Sequence, residues 1–211
     1  MRSLLVAVLL CACKPTPAPV ETPPLPPDQE EAPSGAGPVT RKPATPDEPI
    51  AAPTDDRPHA KAGSVRGPDG AAVELAGLWA ESNVVVVFYR GYWCKICRKH
   101  LAGLQETYKD LLHAGAHLYA ISVDDPDAIK KMVGELGLEY PVLSDGGGAL
   151  ARSWGVYDES TGIAKPATFL IARGGAIAYQ EVGHSPSEQK HGYALMQQVK
   201  QYLPADAAAP N

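Results

Sequence analysis

The stretch Val84–Leu104, VVVVFYRGYWCKICRKHLAGL, decides how the rest of this chain is read. Four valines followed by Phe88 and Tyr89 form an unbroken apolar run, the pattern of a strand buried on both faces near the centre of a mostly parallel sheet. Gly91 ends that strand. Beyond Trp93, Cys94-Lys95-Ile96-Cys97 opens a segment whose apolar residues fall at Cys97, Leu101, Leu104, Tyr108 and Leu111, the alternating four-and-three spacing of one helix face. Cys94 is thereby expected at the solvent-facing N-terminal end of the helix, and Cys97 at the head of the stripe that packs on the sheet.

Two cysteines at this spacing on a helix start are close enough to close a small disulfide ring. The unpaired N–H groups and dipole of the helix favour thiolate over thiol. Lys95, Arg98 and Lys99 add positive charge within one turn, so Cys94 is expected to carry a depressed thiol pKa and to belong to a readily reduced disulfide. Two plainer readings stand beside this one: half of a zinc site, or an ordinary structural disulfide. Structural zinc usually takes four ligands, and the other cysteines, Cys11 and Cys13, lie in a segment expected to be processed or lipidated.

The chain has 211 residues, and 14 of its 21 prolines fall between Pro15 and Pro58, which leaves room for one folded domain. Residues 1–13 hold an Arg, a short apolar run and then small residues, the outline of a secretion signal too short to span a membrane. Leu10-Cys11-Ala12-Cys13 resembles a bacterial lipobox. Cys13 is therefore the expected lipidation point, with a plain signal peptide as the alternative. Residues 14–61, rich in Pro, Ala, Thr, Glu and Asp, bury too little apolar surface to offset ordering and read as a disordered, extended tether. The domain is expected over residues 62–204, with a disordered tail over 205–211. A formal net charge of −5 offers no basic surface, which argues against a nucleic-acid partner.

Within the domain, Ser64–Leu75 reads as a hairpin around Pro68-Asp69-Gly70, followed by a short helix over Ala76–Ala80. The cysteine helix should run over Cys94–Ala114 and stop at Gly115. His117–Val123 is a second buried strand, and Asp124-Asp125-Pro126-Asp127 supplies an N-cap and a proline start for a helix to Leu136. Pro141–Asp145 is a short strand end or loop, and Gly148–Trp154 a short helix. Ala167–Ala172 and Ala176–Val182 form a hairpin across Arg173-Gly174-Gly175, and a closing helix is expected over Ser187–Tyr202. This alternation predicts a three-layer α/β/α sandwich with a mixed sheet.

Phe88–Cys97, Ala120–Asp125, Tyr140–Asp145 and Lys165–Ile171 together resemble the thioredoxin superfamily, in particular the peroxiredoxin-like redoxins of the alkyl hydroperoxide reductase and thiol-specific antioxidant family. That resemblance implies a cis peptide at Pro166, facing the cysteines, and makes Trp93 and Pro166 groove residues. It also exposes departures. Peroxiredoxins hold peroxide with a Thr or Ser three residues before the peroxidatic cysteine and with an Arg near the late strand. Matching the motifs puts Cys97 at the peroxidatic position, Cys94 at the Thr position and Pro166 at the Arg position. Val87 is apolar where thioredoxin keeps a buried carboxylate, and Lys95 replaces the proline frequent in related sites.

The expected function is extracytoplasmic thiol–disulfide exchange, with Cys94 attacking and Cys97 resolving, and with Lys95 and Arg90 as candidate charge-tuning residues. Its partners would be a protein or small-molecule disulfide, an extracytoplasmic thiol electron donor, and a membrane reached through the lipid anchor; no cofactor and no metal are called for. A thiol peroxidase is the alternative. A copper-handling lipoprotein is a third reading, weakened by the placement of His184 after the late strands and by the simpler role of His100, His113 and His117 as helix-surface or strand-end residues.

Overall fold

The computed structural model describes residues 57–203. The expectations for the leader with Cys13, for the tether up to residue 56 and for the tail lie outside the described residues. The chain runs β1 (Ser64–Arg66), β2 (Ala72–Glu74), α1 (Leu75–Glu81), β3 (Asn83–Phe88), α2 (Lys95–His113), β4 (Ala116–Ser122), α3 (Pro126–Leu136), β5 (Val142–Ser144), α4 (Ala149–Ser153), β6 (Tyr157–Asp158), β7 (Ile163–Ala164), β8 (Ala167–Ile171), β9 (Ile177–Val182), a 3-10 turn (Pro186–Glu188) and α5 (Gly192–Tyr202).

Seven strands form one sheet in the order β2-β1-β5-β4-β3-β8-β9. β3, β4 and β5 are parallel, while β8 runs antiparallel to β3 and β1 antiparallel to β5, which gives the expected mixed sheet. Period-two alternation with both faces covered explains why Val84–Phe88 of β3 is apolar throughout. Val85, Val87 and Tyr89 face a layer built from α2, α3 and α5, through Cys97, Leu101, Leu104, Ile129, Met132, Leu195 and Val199. Val84, Val86 and Phe88 face the opposite layer, where Leu75 and Trp79 of α1 meet Leu150 and Ala151 of α4. Each fully buried valine contributes on the order of 1.5–3 kcal/mol relative to an exposed one. The three layers thus follow from one two-sided strand.

The helix boundaries show how local chemistry sets the fold. Asp125 Oδ1 accepts the N–H of Ala128 at 2.8 Å, Pro126 starts α3, and Gly137 closes it in the left-handed region at φ 61°. The last five residues assigned to the tether join the fold. His59 bridges Ala176, Ala60 N donates to Gly175 O and Ile177 N donates to Pro58 O, so backbone hydrogen bonding to the end of the β8–β9 hairpin orders this segment.

The closing helix starts at Gly192, not at Ser187. Gln189 is the reason. Its backbone is extended, and its buried side-chain amide donates to Phe88 O at 2.9 Å and Ala167 O at 3.1 Å, capping the place where β3 and β8 part. Gln189→Ala is expected to remove both of these buried hydrogen bonds and to cost about 1–3 kcal/mol. An unchanged urea midpoint at constant m would contradict this.

Candidate active site

The site forms where parallel strands β3 and β4 end, the usual place for ligands in sheets of this kind. β3 hands the chain to a tight turn in which Cys94 N donates to Gly91 O at 3.1 Å. Gly91 sits at φ 152°, and a side chain there would meet Trp93 Nε1 at 2.8 Å and Asp124 Oδ1 at 2.9 Å. Only glycine fits. Cys94 is the N-cap of α2, and its Sγ accepts the N–H of Cys97 at 3.2 Å. The two cysteines form a disulfide with Cα atoms 5.2 Å apart.

Cys94 was expected to face solvent, yet it is only 5% exposed, against 0% for Cys97. Trp93, 57% exposed, and Ile96 stand on either side as the accessible apolar groups, while the sulfurs lie below them. The relative order of the two cysteines agrees with the helix-stripe argument; the absolute exposure of Cys94 does not. Of the neighbouring cations, Lys95 and Lys99 are exposed. Arg98 instead bonds Glu135 at 2.8 Å and lies over the Tyr92 ring, so its charge is compensated. Arg90, half-buried, stacks on Trp93 with its guanidinium carbon 4.9 Å from the ring centre.

Pro166 precedes β8, opposite the end of β3. Every peptide bond among the described residues is trans, which corrects the cis expectation at this proline. The trans arrangement carries the chain straight into the ladder: Lys165 N donates to Val156 O, and Pro166 O accepts the N–H of Gly183 at 2.8 Å. Pro166 and Arg90 both line a cleft of about 170 Å³, with the β6–β7 hairpin as its far wall. The sequence signalled no strands there, because two-residue strands have no readable period.

Three other residues escaped the sequence reading. Asp124 sits two residues past the end of β4, and its Oδ2 accepts the N–H of Tyr92 at 2.8 Å and the hydroxyl of Ser122 at 2.9 Å, tying the turn before Cys94 to the neighbouring strand. The helix-cap role that the sequence offers to Asp124 and Asp125 together falls to Asp125 alone. The Tyr89 hydroxyl, on the same sheet face as Val87, is buried beside Ser122 and Asp124 without meeting hydrogen-bond geometry to either, and burial raises its pKa. His100, expected on the helix surface, is 3% exposed. Its Nε2 lies 3.2 Å from Lys190 O, its ring packs against His191, and burial pushes its pKa down to about 4.

Burial also raises the Asp124 carboxyl, against the lowering effect of its bonds to Ser122 and Tyr92. A carboxyl with a raised folded-state pKa favours the protonated form in the folded protein. That stabilisation is complete below the ordinary value of 3.8 and is lost as pH rises through the raised value. Asp124→Asn keeps an acceptor for Tyr92 and Ser122 but does not ionise. The melting temperature of the variant relative to the parent is therefore expected to climb with pH across this window; a constant difference would contradict the assignment.

The AhpC/TSA family profile matches residues 57–180. The chain belongs to the AhpC/TSA family. Thiol-disulfide oxidoreductase ResA of Bacillus anthracis is 31% identical over 126 residues, covering 59% of this chain and 68% of its own. Alkyl hydroperoxide reductase E of Mycobacterium tuberculosis is 32% identical over 112 residues, covering 52% and 73%. The crystal structure of a peroxiredoxin-like protein from Aquifex aeolicus superposes with a TM-score of 0.61 at 19% identity, over 70% of this chain and 86% of that one, which supports the fold. Like these AhpC/TSA relatives, the chain is a redoxin-fold oxidoreductase.

Proposed function

We propose that this chain is an extracytoplasmic thiol–disulfide oxidoreductase working through Cys94 and Cys97. The observation that carries the reading is the cysteine pair at the N-terminus of α2, with Cys94 Sγ already accepting a helix N–H. Such a donor stabilises a thiolate at Cys94 in the reduced form. The thiolate attacks a substrate disulfide, forming a mixed disulfide and releasing one substrate thiol. Cys97 then attacks Cys94 Sγ, closes the Cys94–Cys97 bond and releases the second thiol. Two electrons pass from the protein dithiol to the substrate, and an extracytoplasmic thiol donor restores the dithiol.

The signal-like residues 1–13, with Cys13 as lipid acceptor, and the proline-rich tether support a place in the cell envelope, anchored to a membrane. Among the described residues no helix is long and apolar enough to cross a membrane. Peroxide reduction is the second reading, favoured by relatives named as alkyl hydroperoxide reductase and peroxiredoxin. Against it, Arg98 is held by Glu135, Arg90 stacks on Trp93, and Cys94 occupies the place of the peroxide-holding threonine.

Trp93 beside Cys94 provides a reporter. Mixing the reduced protein with a model disulfide peptide should change tryptophan fluorescence with second-order kinetics and yield one protein disulfide per peptide reduced. A reduced protein that stays reduced would sink the reading.

A further inference from the structure

The cleft beside Pro166 gathers Arg90, Lys165 and His184 around one carboxylate, Asp158. The β3–β8 register ends at Phe88–Ala167. Beyond that pair Arg90 follows the end of β3, while Lys165 and Pro166 lead into β8. Arg90, Lys165 and His184 all line the cleft, and none of the three is in an ion pair among the described residues.

Asp158 is the one carboxylate lining the cleft. It accepts the N–H and the hydroxyl of Ser160 at 2.9 and 2.6 Å, and these bonds hold its pKa below the ordinary value. The charge of Lys165 also lowers the Asp158 carboxyl, so two fixed positive charges and an imidazole face one carboxylate, an excess of one positive charge. This local excess stands on a chain with a formal net charge of −5. Arg90 also joins the cleft to the cysteines, because its guanidinium lies on the ring of Trp93, the residue before Cys94.

Resting on the proposed exchange reaction, we infer that this cleft selects disulfides with a carboxylate beside the reacting sulfur. A substrate sulfur meeting Cys94 next to Trp93 would place its flanking group against Arg90 and Lys165. A guanidinium is suited to hold a carboxylate through two parallel hydrogen bonds, and Lys165 adds a point charge. A net positive charge in a concave site also raises the encounter rate of anions, and salt weakens that effect.

The test uses cystine-bridged peptides of one sequence with Glu, Gln or Lys flanking each half-cystine. Dithiodipropionate and cystamine serve as a small dicarboxylate and a small diamine. Rates of oxidation of the reduced protein are normalised to the rates of the same disulfides with dithiothreitol. At low salt the Glu peptide should outrun the Lys peptide by about tenfold or more. The ratio should shrink in high salt and fall toward one in Arg90→Gln/Lys165→Gln. A matching preference for dithiodipropionate over cystamine would show that the carboxylate alone suffices; a preference confined to the peptides would assign the carboxylate to a polypeptide. Equal normalised rates for the Glu and Lys peptides, or a ratio unchanged in the double variant, would overturn the inference and leave the exchange reaction standing. Failure of every disulfide to oxidise the protein would instead overturn the exchange reaction.

Discussion

Replacing Cys94 by serine is expected to lower disulfide reduction by at least about a thousandfold, whereas Cys97→Ser should stop turnover with substrate still bonded to Cys94. The asymmetry comes from position. Cys94 Sγ takes a helix N–H and the residue retains a little exposure next to Trp93, while Cys97 has none and packs in the core layer under α2. An external disulfide therefore meets Cys94 first. Once the mixed disulfide exists, Cys97 is the adjacent thiol, within the same helical turn, and its attack is intramolecular. Mass spectrometry of Cys97→Ser expressed in a secreting cell would identify what stays linked to Cys94. Adducts on Cys97 in the Cys94→Ser variant, at comparable yield, would reverse the assignment.

Hydrogen peroxide should oxidise the reduced protein at a rate within about tenfold of a free thiol, orders of magnitude below the rate of a true thiol peroxidase. Cleavage of the O–O bond needs donors fixed where charge develops on the leaving oxygen. Of the two guanidinium groups close in sequence to Cys94, Arg98 is spent on Glu135 and Arg90 rests on an exposed ring beside the cleft. Stopped-flow oxidation by hydrogen peroxide and an alkyl hydroperoxide decides the matter. A rate about a thousandfold above a free thiol, lost in Arg90→Ala, would make the chain a peroxidase with an unusual clamp.

The sequence by itself determined the layered fold, because Val84–Tyr89 is apolar at every position and must be covered on both sides. It also placed Cys94 and Cys97 within disulfide reach at a helix start, a consequence of local spacing. α3 was legible for the same reason: Asp125, Pro126 and Gly137 act within a few residues of one another.

Only the tertiary structure decided what depends on residues far apart in the chain. Asp124 holds the turn at Tyr92 across 32 positions, Gln189 displaces the start of α5 by reaching Phe88 across 101, and His100 is buried by the carbonyl of Lys190 and the ring of His191. The depth of Cys94 and the company of Arg90, Lys165 and His184 belong to the same class. Periodicity reports which face of a strand or helix is apolar. It carries no record of which distant polar group will arrive to satisfy a buried N–H or carbonyl, and in this protein those arrivals shape the site.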